Sequence, residues 1–277
     1  MCLGLEDIHP KNFQLRFPFL RAFSTSPWLP ILVFIFYRLA VGLFCLAWLI
    51  VSFFQTDGKW FLYISNWIFL SIAIYFIVGT LLSIAYSCSD EAKYLSKMKS
   101  TRWGAEPYIE GFSGDEMPAR NQPHWSQEQD DRLTLPYKVF WIVFTIASVG
   151  SLQVTLIYLL IFQKNIDTTD ASLVIMNSVF VTVELLISNI PVILLHFFYS
   201  HVFQSIYILF TFIYWAIGGT SEGKSYIYRA LDYGEDPAWA CIIVFLYLVI
   251  FQIFAHLYCY LLFTFRKWLV RNWYAKN

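Results

Sequence analysis

Long apolar runs dominate this chain, at residues 30–54, 60–87, 137–163, 171–217 and 238–265, and only two charged residues, Arg38 and Glu184, fall well inside them. About 20 consecutive apolar residues suffice for an α-helix to cross the hydrocarbon of a bilayer. Lipid offers no partner for backbone N–H and C=O groups, so such runs must fold as helices. Charged residues make up only 14% of the sequence, against roughly 25% in soluble domains, and they are banked between the runs. A soluble globule, a disordered regulator and a secreted disulfide scaffold are thereby excluded, and the lipid bilayer becomes the expected partner. The formal net charge is zero, so no basic field exists to hold nucleic acid. Cys2, Cys45, Cys88, Cys241 and Cys259 are scattered without a close pair, which points to neither a metal site nor a disulfide framework; no metal or cofactor is expected.

The run at 171–217 is too long for one span. Pro191 interrupts it, and proline removes an amide and disfavours helix in the residue before it, so spans are predicted at 171–189 and 197–217. The expected fold class is an all-α bundle of six transmembrane helices. An even count puts both termini on one side, and Lys and Arg decide which, because cytoplasmic loops carry the excess. With the termini cytoplasmic, inside segments hold 13 Lys and Arg and outside loops hold 4. The expected organisation is a cytoplasmic tail (1–29), spans 1 and 2 (30–87), a cytoplasmic loop (88–136), spans 3 to 6 (137–265) and a second cytoplasmic tail (266–277). The 88–136 loop carries 15 charges and no long apolar run, the composition of a solvated linker. Tryptophans cluster at the span ends, where rings with a polar edge settle at headgroup level. The closing "FRKWLVRNWY" reads as a basic and aromatic cuff at the inner leaflet.

Ionisable groups within hydrocarbon are costly and invite a functional or pairing explanation. At about 1.5 Å per residue, Arg38 lies roughly 12 Å from the inner end of span 1 and Glu184 roughly 7 Å from the inner end of span 4. A bidentate pair would let both stay charged; otherwise Arg38 snorkels to the headgroups and Glu184 is protonated or reaches water. His256 lies roughly 14 Å from the inner end of span 6, and His196 and His201 flank the start of span 5. Arg38, Glu184, His196 and His256 therefore form a candidate inner polar cluster, as a proton relay, a lipid headgroup site or a set of structural hydrogen bonds. Ser65 with Asn66, and Asn177 with Ser178, enter from the opposite side to depths of roughly 8 to 11 Å. Interhelical hydrogen bonding is the ordinary use of such residues. No acid, histidine or lysine sits at a depth to activate Ser65 as a nucleophile.

"KWFLYISNWIFL" (59–70) and the stretch from Pro191 to Tyr233 resemble the rolling stone family of multipass membrane proteins. The family's LFT, IYW, GGT and YIYxxLD pattern is matched by Leu209 to Thr211, Ile213 to Trp215, Gly218 to Thr220 and Tyr226 to Asp232. Val174 and Ile193 stand where the pattern has histidine and arginine, so the chain is a divergent member. The resemblance implies a plasma-membrane protein with a role in myoblast or cell fusion, or in muscle development. Gly218 and Gly219 are expected to stop a helix at the outer surface. Residues 218–237, with Thr220, Tyr226, Tyr228 and Asp232, would then form an exposed outer loop able to meet a membrane or extracellular protein.

The family is also distantly similar to the androgen-induced and androgen-dependent membrane hydrolases of fatty-acid esters. That similarity sets Ser65 at the catalytic threonine and Asn177 at the histidine. An asparagine cannot take up the proton a hydroxyl nucleophile loses, so the non-enzymatic reading leads. Intramembrane hydrolysis of lipid esters by Ser65, and lipid binding or transport through the inner cluster, remain the alternatives.

Overall fold

The computed structural model describes residues 13–15, 17, 19–55, 59–89, 133–161, 168–221 and 223–276. The 88–136 loop falls outside them apart from its two ends, as does the first part of the 1–29 tail. Among the described residues the protein is helical and contains no strand, only one isolated bridge between Ser221 and Lys224.

A four-residue helix, α1 (Arg21–Ser24), precedes the long helices α2 (Ile31–Gln55), α3 (Ile64–Ser87), α4 (Leu135–Ile161), α5 (Thr168–Ile187) and α6 (Phe197–Ala216). The last helix starts as α7 (Pro237–Phe245), passes through a π-helical turn at Leu246–Phe251, and continues as α8 (Gln252–Lys276). Among the described residues five helices are long and apolar enough to cross a membrane: Ile31–Phe54, Ile64–Ser87, Leu135–Leu160, Leu194–Ala216 and Pro237–Trp273. Within α5 the apolar helical stretch is shorter, Val174–Ile187.

Helix α6 is inverted relative to a helix of a soluble bundle. The buried residues of α6 are Ser200, Gln204, Tyr207 and Thr211, all polar. Its exposed large hydrophobic side chains are Phe197, Phe198, Val202, Ile206, Leu209, Phe212 and Ile213. Helix α2 likewise turns Leu32, Phe36, Leu43, Ile50 and Phe54 outward and keeps Arg38 at 0% exposure. Apolar surface on this scale is unfavourable in water and costs nothing against acyl chains. The protein is a multipass integral membrane protein.

Parts of both segments read as tails are built into the fold. Residues at the end of the first tail are packed rather than free, since Phe23 sits edge-on to Trp141 at 5.2 Å and to Tyr137 at 5.9 Å. The last helix continues to Lys276, through residues assigned to a tail. Arg266 at the start of that stretch turns inward, 3% exposed, and donates to Leu185 O and Ile190 O instead of joining a cuff at the headgroups.

Connections gather at two ends of the bundle. At one, the elbow end, α1, the ends of α3 and α5, the starts of α4 and α6, and the His256–Arg266 stretch of α8 meet. At the other, the cap, residues 217–236 cover the starts of α3 and α7 and the end of α6. Helix α5 runs back antiparallel to α4: Thr155 donates to Val174 O at 3.0 Å near the cap, and Trp141 Nε1 donates to Pro191 O at 2.9 Å at the elbow.

Candidate functional site

Arg38 is one of the largest fully buried side chains, and it donates through every nitrogen it has. Nε and Nη2 both reach Glu184 Oε1, at 3.1 and 2.7 Å. Nη2 also donates to the Tyr75 hydroxyl at 3.1 Å. Nη1 reaches Phe23 O at 2.9 Å, Gly79 O at 3.2 Å and Ser83 Oγ at 3.1 Å. The guanidinium plane lies 4.2 Å from the Phe34 ring centroid, a cation–π contact in a site without bulk water. Gly79 makes the approach possible, because a Cβ there would stand 3.2 Å from Nη1 and 3.1 Å from the Phe140 ring.

Glu184 takes its bonds on one oxygen. Oε1 also accepts the Tyr75 hydroxyl at 2.6 Å, whereas Oε2 is buried without a hydrogen-bond partner among the described residues. The pair is thus not the parallel fork that two-on-two recognition would give. A single carboxylate oxygen gathers α2, α3 and α5, and Arg38 adds the α1 carbonyl of Phe23. An unpaired charge here would be costly, and a pair with all of its N–H groups bonded is the form an apolar interior tolerates.

Six residues link α5 to the 3₁₀ turn Leu194–His196 that begins α6, and this elbow, Ser188–Ile193, is non-helical yet buried. Non-helical backbone survives in such surroundings only where protein satisfies it. The last four carbonyls of α5 are each bonded. Glu184 O accepts Ser188 N at 2.8 Å, Leu185 O accepts Arg266 Nη1 at 2.7 Å, Leu186 O accepts Trp28 Nε1 at 2.9 Å, and Ile187 O accepts Ser26 Oγ at 2.6 Å. Beyond them, Ile190 O accepts Arg266 Nη2 at 2.9 Å and Pro191 O accepts Trp141 Nε1 at 2.9 Å. Asn189 N donates to Thr25 O at 3.2 Å.

The histidines belong to this elbow. His256 Nε2 lies 3.1 Å from Ile193 O, and the His196 ring stands edge-on to Trp141 with centroids 4.5 Å apart. His201 is one turn further along α6, near the Phe197 ring. Arg38 and Glu184 are in direct contact, therefore, while His256 serves the neighbouring backbone.

Ser65 and Asn177 sit apart from this centre, and among the described residues no hydrogen bond joins them. Ser65 is the second residue of α3 and half-buried. Its neighbours fix that helix start, with Ile64 N donating to the Tyr228 hydroxyl at 3.1 Å and Asn66 Nδ2 to Trp60 O at 2.7 Å. Asn177 is buried on α5 beside Ser178, which is bonded to Thr155 and to Ser151 O.

The cap is a folded unit. Gly218 has φ of 77°, in the left-handed region where glycine carries no Cβ penalty. Gly219 has no room for a Cβ, which would fall 2.6 Å from Tyr214 O. The Tyr214 hydroxyl donates to Thr220 O at 2.8 Å. Asp232 Oδ1 accepts from Gly234 N and Glu235 N at 3.1 and 3.0 Å, shaping the turn before Asp236 caps α7. Tyr228 ties the cap to α3, and burial pushes its hydroxyl pKa up. Tyr226 lies beneath the Lys224 ammonium at 5.8 Å.

A family model described as Protein rolling stone matches residues 122–276, more than half of the chain. The chain belongs to the rolling stone family. No curated protein and no solved structure matches it. The matched region holds α4 to α8, and with them Glu184, the elbow, the cap and both inner histidines; Arg38, Tyr75 and Ser65 lie before it. In this rolling stone family member the arginine–carboxylate centre joins an element outside the matched region to one inside it.

Tyr75, Gly79, Ser83, Trp141 and the glutamines Gln153, Gln204 and Gln252 are interior residues that a search for ionisable groups passes over. For Gln204 the signal is the 4-3-4 spacing of Ser200, Gln204, Tyr207 and Thr211 on α6, a helical stripe inside an otherwise apolar run.

Proposed function

We propose that this rolling stone family member is a six-span plasma-membrane protein with cytoplasmic termini that acts at contacts between cells, in the fusion of myoblasts. The cap carries the proposal: the described residues between Gly218 and Asp236 form a surface held to the start of α3 by Tyr228 and to α6 by Tyr214 and Tyr233, with Asp232 shaping its last turn. A surface built this way can present the same face to an opposing membrane or extracellular protein. The excess of Lys and Arg on the elbow side supports placing the cap outside. The antiparallel course of α5 along α4 supports counting α5 as the sixth span, its 20 residues reaching about 30 Å.

The protein acts by binding, without catalysis, in this reading. Ser65 has an asparagine where a hydrolase needs a base, and the Arg38 N–H groups are fully engaged within the protein, which disfavours Arg38 as a lipid headgroup receptor. Expression in myoblasts that lack their own member, with surface delivery checked by an epitope in the cap, tests the function. Restored fusion is expected, and it should vanish when residues 220–235 are replaced by a Gly/Ser linker of equal length that still reaches the surface. Surface-delivered wild-type protein that restores no fusion overturns the proposal.

A further inference from the structure

The interface between α6 and the last helix is a polar ladder. His256 Nε2 lies on Ile193 O at 3.1 Å, Gln252 Nε2 donates to Phe197 O at 3.4 Å, and the Tyr247 hydroxyl donates to Gln204 Oε1. From α4, Gln153 Nε2 donates to Tyr247 O at 2.6 Å. Gln153, Ser200, Gln204 and Gln252 are all at most 1% exposed.

Each of these four also carries a buried polar atom without a partner among the described residues: Gln153 Oε1, Ser200 Oγ, Gln204 Nε2 and Gln252 Oε1. Turning the amides over does not help. Gln153 and Gln252 must present N–H to the carbonyls they bond, and Gln204 presents oxygen because the Tyr247 hydroxyl has no other acceptor among the described residues. The atoms share one seam. Ser200 is one turn from Gln204 and lies on the same face of α6, and Gln252 is anchored at Phe197, one turn before Ser200. Gln204 Nε2 faces α4 at Gly150, 3.1 Å from where a Cβ would stand, and Gly150 is one turn before Gln153.

We propose that this seam is a built binding site for internal water, a short file of molecules bridging Gln153, Ser200, Gln204 and Gln252 between α4, α6 and α8. The chemistry selects the ligand. Two amide oxygens accept, one amide N–H donates and one hydroxyl does either, with no charge among them, so the occupant is neutral and both donates and accepts. Buried water typically bridges such groups with two to four bonds. The file runs between Gln153 in the bundle interior and Gln252, one helical turn from His256 and the elbow.

Radiolytic hydroxyl-radical footprinting of the full chain in lipid nanodiscs tests this, because radicals made from bound water label the reactive side chains beside it. Tyr247 is expected to be labelled several-fold faster than Phe76 and Phe140, which are similarly buried and lie away from the seam. Gln204→Met is expected to lower Tyr247 labelling several-fold, and if that variant does not fold, the wild-type ratio decides alone. Labelling of Tyr247 no faster than of the two phenylalanines overturns the proposal. So does a co-purified lipid, seen by native mass spectrometry, that the wild type retains and Gln204→Met loses, since a lipid hydroxyl would then fill the seam.

Discussion

Arg38 and Glu184 are the least exposed charges among the described residues, at 0% and 1%. Their presence inside apolar runs was readable from the sequence, as were depths that allowed them to meet. The partners that make the meeting tolerable were not readable: Tyr75 and Ser83 look like ordinary residues of an apolar helix, and the Phe23 carbonyl belongs to a segment that reads as a tail. Removing one member of a buried pair strands the other. Arg38→Ala should therefore destabilise the fold by about 3–5 kcal/mol, whereas Arg38→Met combined with Glu184→Leu should recover most of that loss. Equilibrium unfolding of the single and double variants in the same detergent checks this. A double variant as unstable as Arg38→Ala would mean that the shape of the site, and not charge pairing, sets the cost.

Among the elements, Pro191 announced the break between α5 and α6, but the character of the break required the structure. A sequence with few polar residues there gives no sign that Ser26, Trp28, Trp141 and Arg266, from far along the chain, supply the hydrogen bonds. The π turn is the other element hidden in sequence. Buried positions on the last helix step from Ala240 and Ile243 to Tyr247, then five residues to Gln252, then on to Ala255, Cys259 and Phe263. A regular helix would bring Phe251, not Gln252, to the face set by Tyr247. The extra residue of the π turn keeps Tyr247 and Gln252 together on α6, the kind of local re-aiming for which π bulges are used. Deleting Leu248 should convert the turn to α-helix and rotate one half of the helix against the other by about 100°. Tyr247 then leaves Gln204, and Gln153 loses its acceptor, at a cost of about 1–3 kcal/mol for each stranded group. The deletion should lower the thermal midpoint in nanodiscs, and reinserting an alanine at the same point should restore it; an unchanged midpoint after deletion would show that the phase of the helix does not matter.

For the whole molecule, the open quantity is how many times the chain crosses the bilayer, and α5 decides it. Its described apolar stretch is only Val174–Ile187, yet Thr155 and Ser178 meet near one end of α4 and Trp141 meets Pro191 near the other. Over the levels of α4 between those contacts the chain therefore travels back, so α6 starts from the same end as α4. Counting α5 as a span places Asn277 on the side of Met1 and the cap on the opposite side. In a protein whose five native cysteines are replaced by alanine or serine, Ser225→Cys should react with a membrane-impermeant maleimide added to intact cells, whereas Asn277→Cys should react only after permeabilisation. Reaction of Asn277→Cys in intact cells, with Ser225→Cys protected until permeabilisation, would remove α5 from the spans, reverse the side assigned to the last helix, and take with it the placement of Arg271 at the cytoplasmic leaflet.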